Sequence, residues 1–194
     1  MKRLWLLFVL AMFSLNTWGQ SQTRDLTNLP TTTEEQTKLY SLFLDGYLDK
    51  KGHFLNVSAM TFPLQISDED HKIGGCAADI SDRQVAQANR TPHNLDATIA
   101  LNRKIKLVDP RKHKFHDPED DIRSGNFSEG SFNASFNAGL FWFSEIVFNL
   151  DHSRAMFTYT FRCGLNCGHG SMMIYDLHDQ VWPPSKLECS HWQS

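Results

Sequence analysis

Apolar and polar positions change their period several times along the chain, and each change predicts an element. Thr32-Thr33-Glu34-Glu35 reads as a helix-opening capping box, and Leu39, Leu42, Phe43 and Tyr47 follow it at helical spacing. Lys50-Lys51 and then Gly52 supply a dipole-matched stop, so a long helix with one apolar stripe is predicted between Thr32 and Gly52. His53 to Leu64 is rich in β-formers and predicts a strand that Pro63 ends or places at a sheet edge. Ser67 to Asp79, which holds Gly74-Gly75-Cys76, has no period and reads as loop. Ser81 and Gln84 make a second capping box, with Ile80 and Val85 at the staple positions, and predict a shorter helix that stops before Pro92. Leu95 to Leu101 fits helix or strand, whereas Lys104 to Val108 alternates and ends at Asp109-Pro110, as a strand does.

Residues 111–137 are charged and then rich in Gly, Ser and Asn, which predicts a long irregular segment with one helical turn around Pro118 to Arg123. The last quarter reads as a β-meander. Leu140, Trp142, Ile146 and Phe148 share one parity of its first strand, and Asn149 to Ser153 turn the chain. Ala155, Phe157, Tyr159, Phe161 and Cys163 then alternate with Arg154, Thr158, Thr160 and Arg162, which predicts one buried and one wet face. A strand over Ser171 to Tyr175 and a last one from Val181 to Trp192, interrupted at Pro183-Pro184 and therefore at an edge, complete it. Helices early and strands late predict an α+β fold over 31–194, its N-terminal helices packed on a mainly antiparallel sheet that ends in a four-stranded meander.

Composition changes the picture mainly at the start of the chain. Lys2-Arg3, the apolar run Leu4 to Leu15 and Thr17-Trp18-Gly19 form the three parts of a secretory signal peptide over 1–19, with cleavage between Gly19 and Gln20. The polar stretch 20–30 reads as a flexible leader, and nothing later is apolar for long enough to span a bilayer. A secreted or periplasmic protein is expected. The net charge of −3 argues against general nucleic-acid binding. The basic run Arg103 to Lys114 beside Asp117 to Asp121 reads as a self-neutralising surface loop. Asn56, Asn89, Asn126 and Asn133 each begin an Asn-x-Ser/Thr sequon, which matters only in a glycosylating host.

Four cysteines in an exported chain predict two disulfides. Cys163 and Cys167 lie close in sequence on a loop softened by Gly164 and Gly168, so they are expected to pair, which leaves Cys76 for Cys189. The same loop also offers Cys163, Cys167 and His169 as an alternative copper or zinc set. Gly164, Gly168 and Gly170 read as turn residues, because no helix follows that could receive a phosphate. His113-x-x-His116-Asp117 lacks a helix to align its imidazoles, and His152, His178 and His191 read as surface or satisfied histidines. No nucleophile elbow is present, so no catalytic residue is assigned.

The order Phe143-Ser144, Val147-Phe148-Asn149, Arg154-Ala155, Cys163-Gly164-x-x-Cys167-Gly168-x-Gly170, Asp179, Trp182 and Trp192 resembles a group of small exported bacterial proteins of unknown function. The resemblance covers roughly the last 55 residues. It departs where Gln180-Val181 replaces a glycine and where Pro183-Pro184 enters the final strand. It implies an exported bacterial origin and the meander, and it implies no activity. The expectation is an exported, non-enzymatic binding or structural protein, with no cofactor, that meets a protein or small-molecule partner along the edge around Cys163 to Gly170. The alternatives are an exported hydrolase whose site is assembled from dispersed residues, and metal handling.

Overall fold

The computed structural model describes residues 28–51, 55–72, 74–100, 105–116, 118–164, 167–189 and 191–193. The signal peptide, its cleavage point and most of the leader lie outside these residues.

The first helix, α1 (Glu34–Lys51), opens one residue later than its sequence suggests. Thr33 Oγ1 accepts from the Gln36 amide at 3.2 Å, and the Thr33 amide donates to Gln36 Oε1 at 2.9 Å. Thr32 is thereby released for other work: its hydroxyl lies 2.9 Å from that of Thr37 and accepts from the Asp96 amide at 3.1 Å. The chain then forms β1 (Leu55–Ser58), the short α2 (Asp68–His71), α3 (Asp82–Ala88), a 3₁₀ turn (Ala97–Ala100) and β2 (Ile105–Val108). Ser81 caps α3 through the expected box with Gln84.

Next come α4 (Pro118–Arg123), α5 (Glu129–Asn137), β3 (Leu140–Phe143), β4 (Val147–Phe148), β5 (Arg154–Gly164), β6 (Cys167–Asp176) and β7 (His191–Gln193). The strands make one mixed sheet in the order β2-β1-β3-β5-β6-β7, with β4 also paired to β5. β1 runs parallel to both β2 and β3, and every later pairing is antiparallel.

Several expectations need correction. β1 is an interior strand; it ends at Ser58, whose hydroxyl donates to the Met60 carbonyl at 2.7 Å, so Pro63 falls beyond the ladder. In the segment 111–137 the helical turn expected at Pro118 to Arg123 is α4, but Glu129–Asn137, expected to be irregular, forms a second helix, α5. β6 starts four residues before Ser171, directly at Cys167. From Val181 to Pro184 only isolated bridges form, and the last strand is confined to β7. The prolines still take part, since Pro183 accepts from the Asp176 amide at 3.2 Å and the Ser185 amide donates to Ile174 at 2.8 Å.

Both faces of the sheet are covered in part, so the prediction of one wet face fails. On the first face Leu39, Tyr40, Phe43 and Leu44 of α1 bury against Val57, Phe141, Phe143, Phe157 and Phe161. Aromatic rings dominate the contact: Tyr40 stacks on Phe143 at 4.9 Å between centroids, and Phe43 lies 4.5 Å from Tyr159. On the second face Met156, Met172 and Ile174 bury against Leu64, Ala77 and Ile80. This second core covers only one end of that face. Further along, Thr158, Thr160 and Arg162 of β5 stay partly or fully accessible.

The expected parity of 140–148 breaks in the middle. Phe141 and Phe143 face α1, but so do Ile146 and Phe148, while Val147 joins the second core. Between them Ser144 still donates its amide to the Thr158 carbonyl at 2.9 Å, but Glu145 turns aside and donates to the Phe62 carbonyl at 2.7 Å, so the sets on either side differ in parity. Trp142 consequently projects onto the second face, away from α1.

Candidate functional site

The disulfides fix the ends of the second face. Cys163 is joined to Cys167 across the β5–β6 hairpin with Cα atoms 5.1 Å apart, and Cys76 to Cys189 with Cα atoms 5.4 Å apart. The first closes five residues; the second bridges a sequence separation of 113 and ties the tail before β7 to the loop after α2. No free cysteine is found among the described residues.

Gly168 and Gly170 are strand residues of β6, not turn residues. A Cβ on Gly170 would lie 2.7 Å from the Tyr159 carbonyl oxygen and would strike the Trp192 indole nitrogen, and one on Gly168 would lie 2.8 Å from the Phe161 carbonyl oxygen and 3.1 Å from the rim of the same ring. The two glycines therefore form a seat on which the Trp192 indole lies flat. β7 delivers that ring, because Trp192 stands directly opposite Gly170 in register.

One cross-strand row crosses the open part of this face: Trp142 pairs with Thr160, Thr160 with Gly170, and Gly170 with Trp192. Cross-strand partners share a face, so two indoles flank a floor of small residues. Three strand spacings separate β3 from β7, or about 14 Å between their backbones. Phe115 backs Trp142 at 5.8 Å between ring centroids and is itself exposed.

Beside Trp192 this face opens into a cleft of about 390 Å³, to which Gln65, Ser67, Thr158 and Thr160 bring polar side chains, while Tyr159 and Ser171, paired in register and turned to the α1 face, border it. Phe62, Ile66 and Met172 supply apolar wall, and none of the described residues that line it is charged. Ser67 is engaged, donating to Asp70 Oδ2 at 2.6 Å. The side chains of Gln65, Thr158 and Thr160 make no hydrogen bond to another described residue, so their donors and acceptors face the cleft or solvent.

The candidate metal set does not come together. The sulfurs of Cys163 and Cys167 are bonded to each other, and His169 turns to the α1 face, its Nε2 3.4 Å from the Tyr47 hydroxyl. Burial pushes Tyr47 up to about 12, helped by Tyr159, so that hydroxyl stays protonated at neutral pH. Asp70, Cys76 and Cys189 are the metal-type residues that converge among those described, yet the two sulfurs are again joined. His113 Nε2 sits 2.6 Å from the Ala138 carbonyl while His116 Nε2 meets Asp121 at 2.9 Å, so these two imidazoles serve separate contacts. His152 Nε2 lies 3.0 Å from Glu35, and it stacks on Phe148 with 4.1 Å between ring centroids.

A buried polar cluster escaped the sequence reading. Glu145 is 2% exposed where the chain leaves the ladder between β3 and β4. Its Oε1 accepts from the Thr61 hydroxyl and from the His93 amide at 3.0 Å, and its Oε2 lies 2.9 Å from His93 Nδ1. Next to it the Tyr40 hydroxyl donates to the Ser144 carbonyl at 2.6 Å. Burial, with the Glu145 charge adding to it, holds Tyr40 well above the ordinary tyrosine range. Every ligand of this carboxylate belongs to the protein, so the cluster pins three segments together. The only trace in the sequence was a lone acid within the apolar run Phe141 to Phe148.

Compared with protein-family models, curated proteins and solved structures, the chain matches none. Among the described residues no helix is long and apolar enough to cross a membrane.

Proposed function

We propose that this is an exported, disulfide-stapled binding protein without catalytic activity, and that the cleft beside Trp192 receives its ligand. The observation that carries the reading is the seat itself: Gly168 and Gly170 leave room for the indole of Trp192, which remains 42% exposed at the rim of an uncharged cleft. An aromatic ring seated against a sheet and left half in water is an arrangement that binding sites use to anchor a partner. Among the described residues that line the cleft there is no Asp, Glu, His, Lys or Cys to activate its serine and threonine hydroxyls, which favours binding over hydrolysis. Export rests on the basic and apolar N-terminal run, the two disulfides and the resemblance of the C-terminal pattern to small exported bacterial proteins.

The test is site-resolved crosslinking of the oxidised protein in its native extracellular or periplasmic milieu. A photoreactive residue at Thr158 is expected to trap material that the same residue at Asp45, on the exposed side of α1, does not. Equal yields at the two positions would overturn the reading. So would turnover of ester, amide or glycoside substrates that disappears in a His93→Ala variant, because it would restore the hydrolase alternative around Glu145 and His93.

A further inference from the structure

We infer that the ligand of the cleft is a neutral carbohydrate, a short run of sugar residues laid across the second sheet face between Trp192 and Trp142. The inference rests on the proposed binding role and adds the class of ligand. The lining decides it by elimination. An ionic ligand held in the cleft would lose its hydration and find no opposite charge among the described residues that line it; Arg162, the charged residue of β5 beside this row, lies beyond Thr160 toward the hairpin end of the face. A purely apolar ligand would strip water from Gln65, Thr158 and Thr160 and give their polar groups nothing in return.

The ligand that satisfies both constraints carries neutral hydroxyls along its edges and a C–H surface on its faces. A pyranose ring is built that way. Its apolar face matches the exposed indole of Trp192, whose only polar atom, Nε1–H, can donate to a ring or hydroxyl oxygen. Its hydroxyls match the threonine hydroxyls and the Gln65 amide, each of which can both donate and accept. The volume of about 390 Å³ falls at the lower end of the range for small-molecule sites, roughly 300 to 1,000 Å³, as a site for one or two sugar rings would.

The extension toward Trp142 follows from the register. Thr160 and Gly170 are the only residues between the two indoles in their shared row, and neither has a side chain large enough to block the passage. Phe115, packed on Trp142, widens the apolar shelf at that end. A chain longer than a disaccharide would therefore reach a second stacking platform. A monosaccharide would not.

Calorimetric titration of the oxidised full-length mature protein with glucose, cellobiose, cellohexaose, maltohexaose, chitohexaose and xylohexaose tests this, with tryptophan fluorescence as a parallel readout. At least one hexasaccharide is expected to bind in the micromolar to millimolar range and more tightly than its mono- or disaccharide. Trp192→Ala should weaken it roughly tenfold or more, Trp192→Phe less, and Thr160→Val by a few-fold. Leu150→Ala, on the exposed turn before β5, should bind as the parent does. An unchanged thermal midpoint identifies variants that are folded, and Trp192→Phe and Thr160→Val keep the test decisive if Trp192→Ala loses β7. Absence of saturable binding to every sugar at millimolar concentration overturns the carbohydrate assignment, as does binding that Trp192→Phe, Trp192→Ala and Thr160→Val all leave unchanged. If crosslinking at Thr158 nevertheless traps a peptide or protein, the binding role stands and the sugar assignment alone falls; if both experiments fail, the binding role falls as well.

Discussion

Glu145 shows how much one side chain can organise from inside a sheet. It holds the amide and ring of His93 and the hydroxyl of Thr61, so its removal leaves several buried groups without partners. Glu145→Ala should cost about 3 to 5 kcal/mol by urea denaturation, and Glu145→Gln, which keeps an acceptor in place, distinctly less. Equal losses for the two would mean that side-chain volume, not hydrogen bonding, sets the effect. Gly170 is the other residue with a sharp consequence. Gly170→Ala pushes a methyl against both the Trp192 ring and the Tyr159 carbonyl, so the ring must lift from its seat. The expected result is a red-shifted, more quenchable tryptophan emission, checked by iodide quenching, together with a lowered denaturation midpoint, because the Tyr159 carbonyl is backbone and the β5–β6 ladder must shift as well.

At the scale of elements, α1 and β5 carry the first core between them. Leu39→Ala or Phe157→Ala should each destabilise by roughly 2 to 5 kcal/mol, because both side chains are fully buried in one aromatic cluster. A denaturation midpoint that neither substitution moves would contradict this packing. These two elements were also the most legible in the sequence, since α1 has a capped start and a run of apolar residues and β5 alternates from Phe157 to Cys163, although Met156 is buried on the opposite face. The strand region 140–148 was only half legible: its period of two is interrupted at Ser144-Glu145, and an alternation rule has no means of locating such an interruption. α5 was missed because Ser131, Asn133 and Ser135 are poor helix formers, and Ser131 and Ser135 bury their small side chains where apolar ones would be expected. The pairing of β1 between two parallel neighbours was illegible too, as order within a sheet leaves no local mark. Of the candidate site, the sequence drew attention to the Cys163–Gly170 hairpin and misread its glycines as turn residues, because nothing in a Gly-x-Gly run says that a ring arrives from a strand about twenty residues further on.

Across the whole molecule, the two disulfides should contribute unequally. In the chain-entropy account, closing the long loop between Cys76 and Cys189 is worth about 5 kcal/mol and closing the hairpin between Cys163 and Cys167 about 2. A Cys76→Ser, Cys189→Ser double variant should therefore melt well below a Cys163→Ser, Cys167→Ser one; the reverse order would show that the hairpin bridge does more than shape a turn. Acid should loosen the same region. Burial alone would push Asp176 up, but the hydrogen bonds from Ser185 and Arg154 outweigh it and hold the carboxyl below its ordinary value of 3.8. A depressed carboxylate stabilises the fold above its unfolded pKa, and that contribution is lost as pH falls through the folded value. Asp121 and Asp151 are also lowered, chiefly by hydrogen bonds from Ser131 and from Ser153 respectively, and add to the same trend. The thermal midpoint should thus hold near neutrality and drop below about pH 4, while Asp176→Asn starts lower and loses less over that interval.

The position of Cys189 adds a matter of timing. It stands three residues before Trp192, in a tail whose only ladder among the described residues is the short pairing of β7 with the edge of β6. Until the thiol of Cys189 finds that of Cys76, the last strand is held by a three-residue pairing alone, too short to persist by itself in water. The wall that Trp192 provides is then a product of oxidation rather than of folding alone. Under reducing conditions the chain would carry every residue of the cleft and still lack a finished one; on the proposed reading, the cleft is completed only where Cys76 and Cys189 can be oxidised.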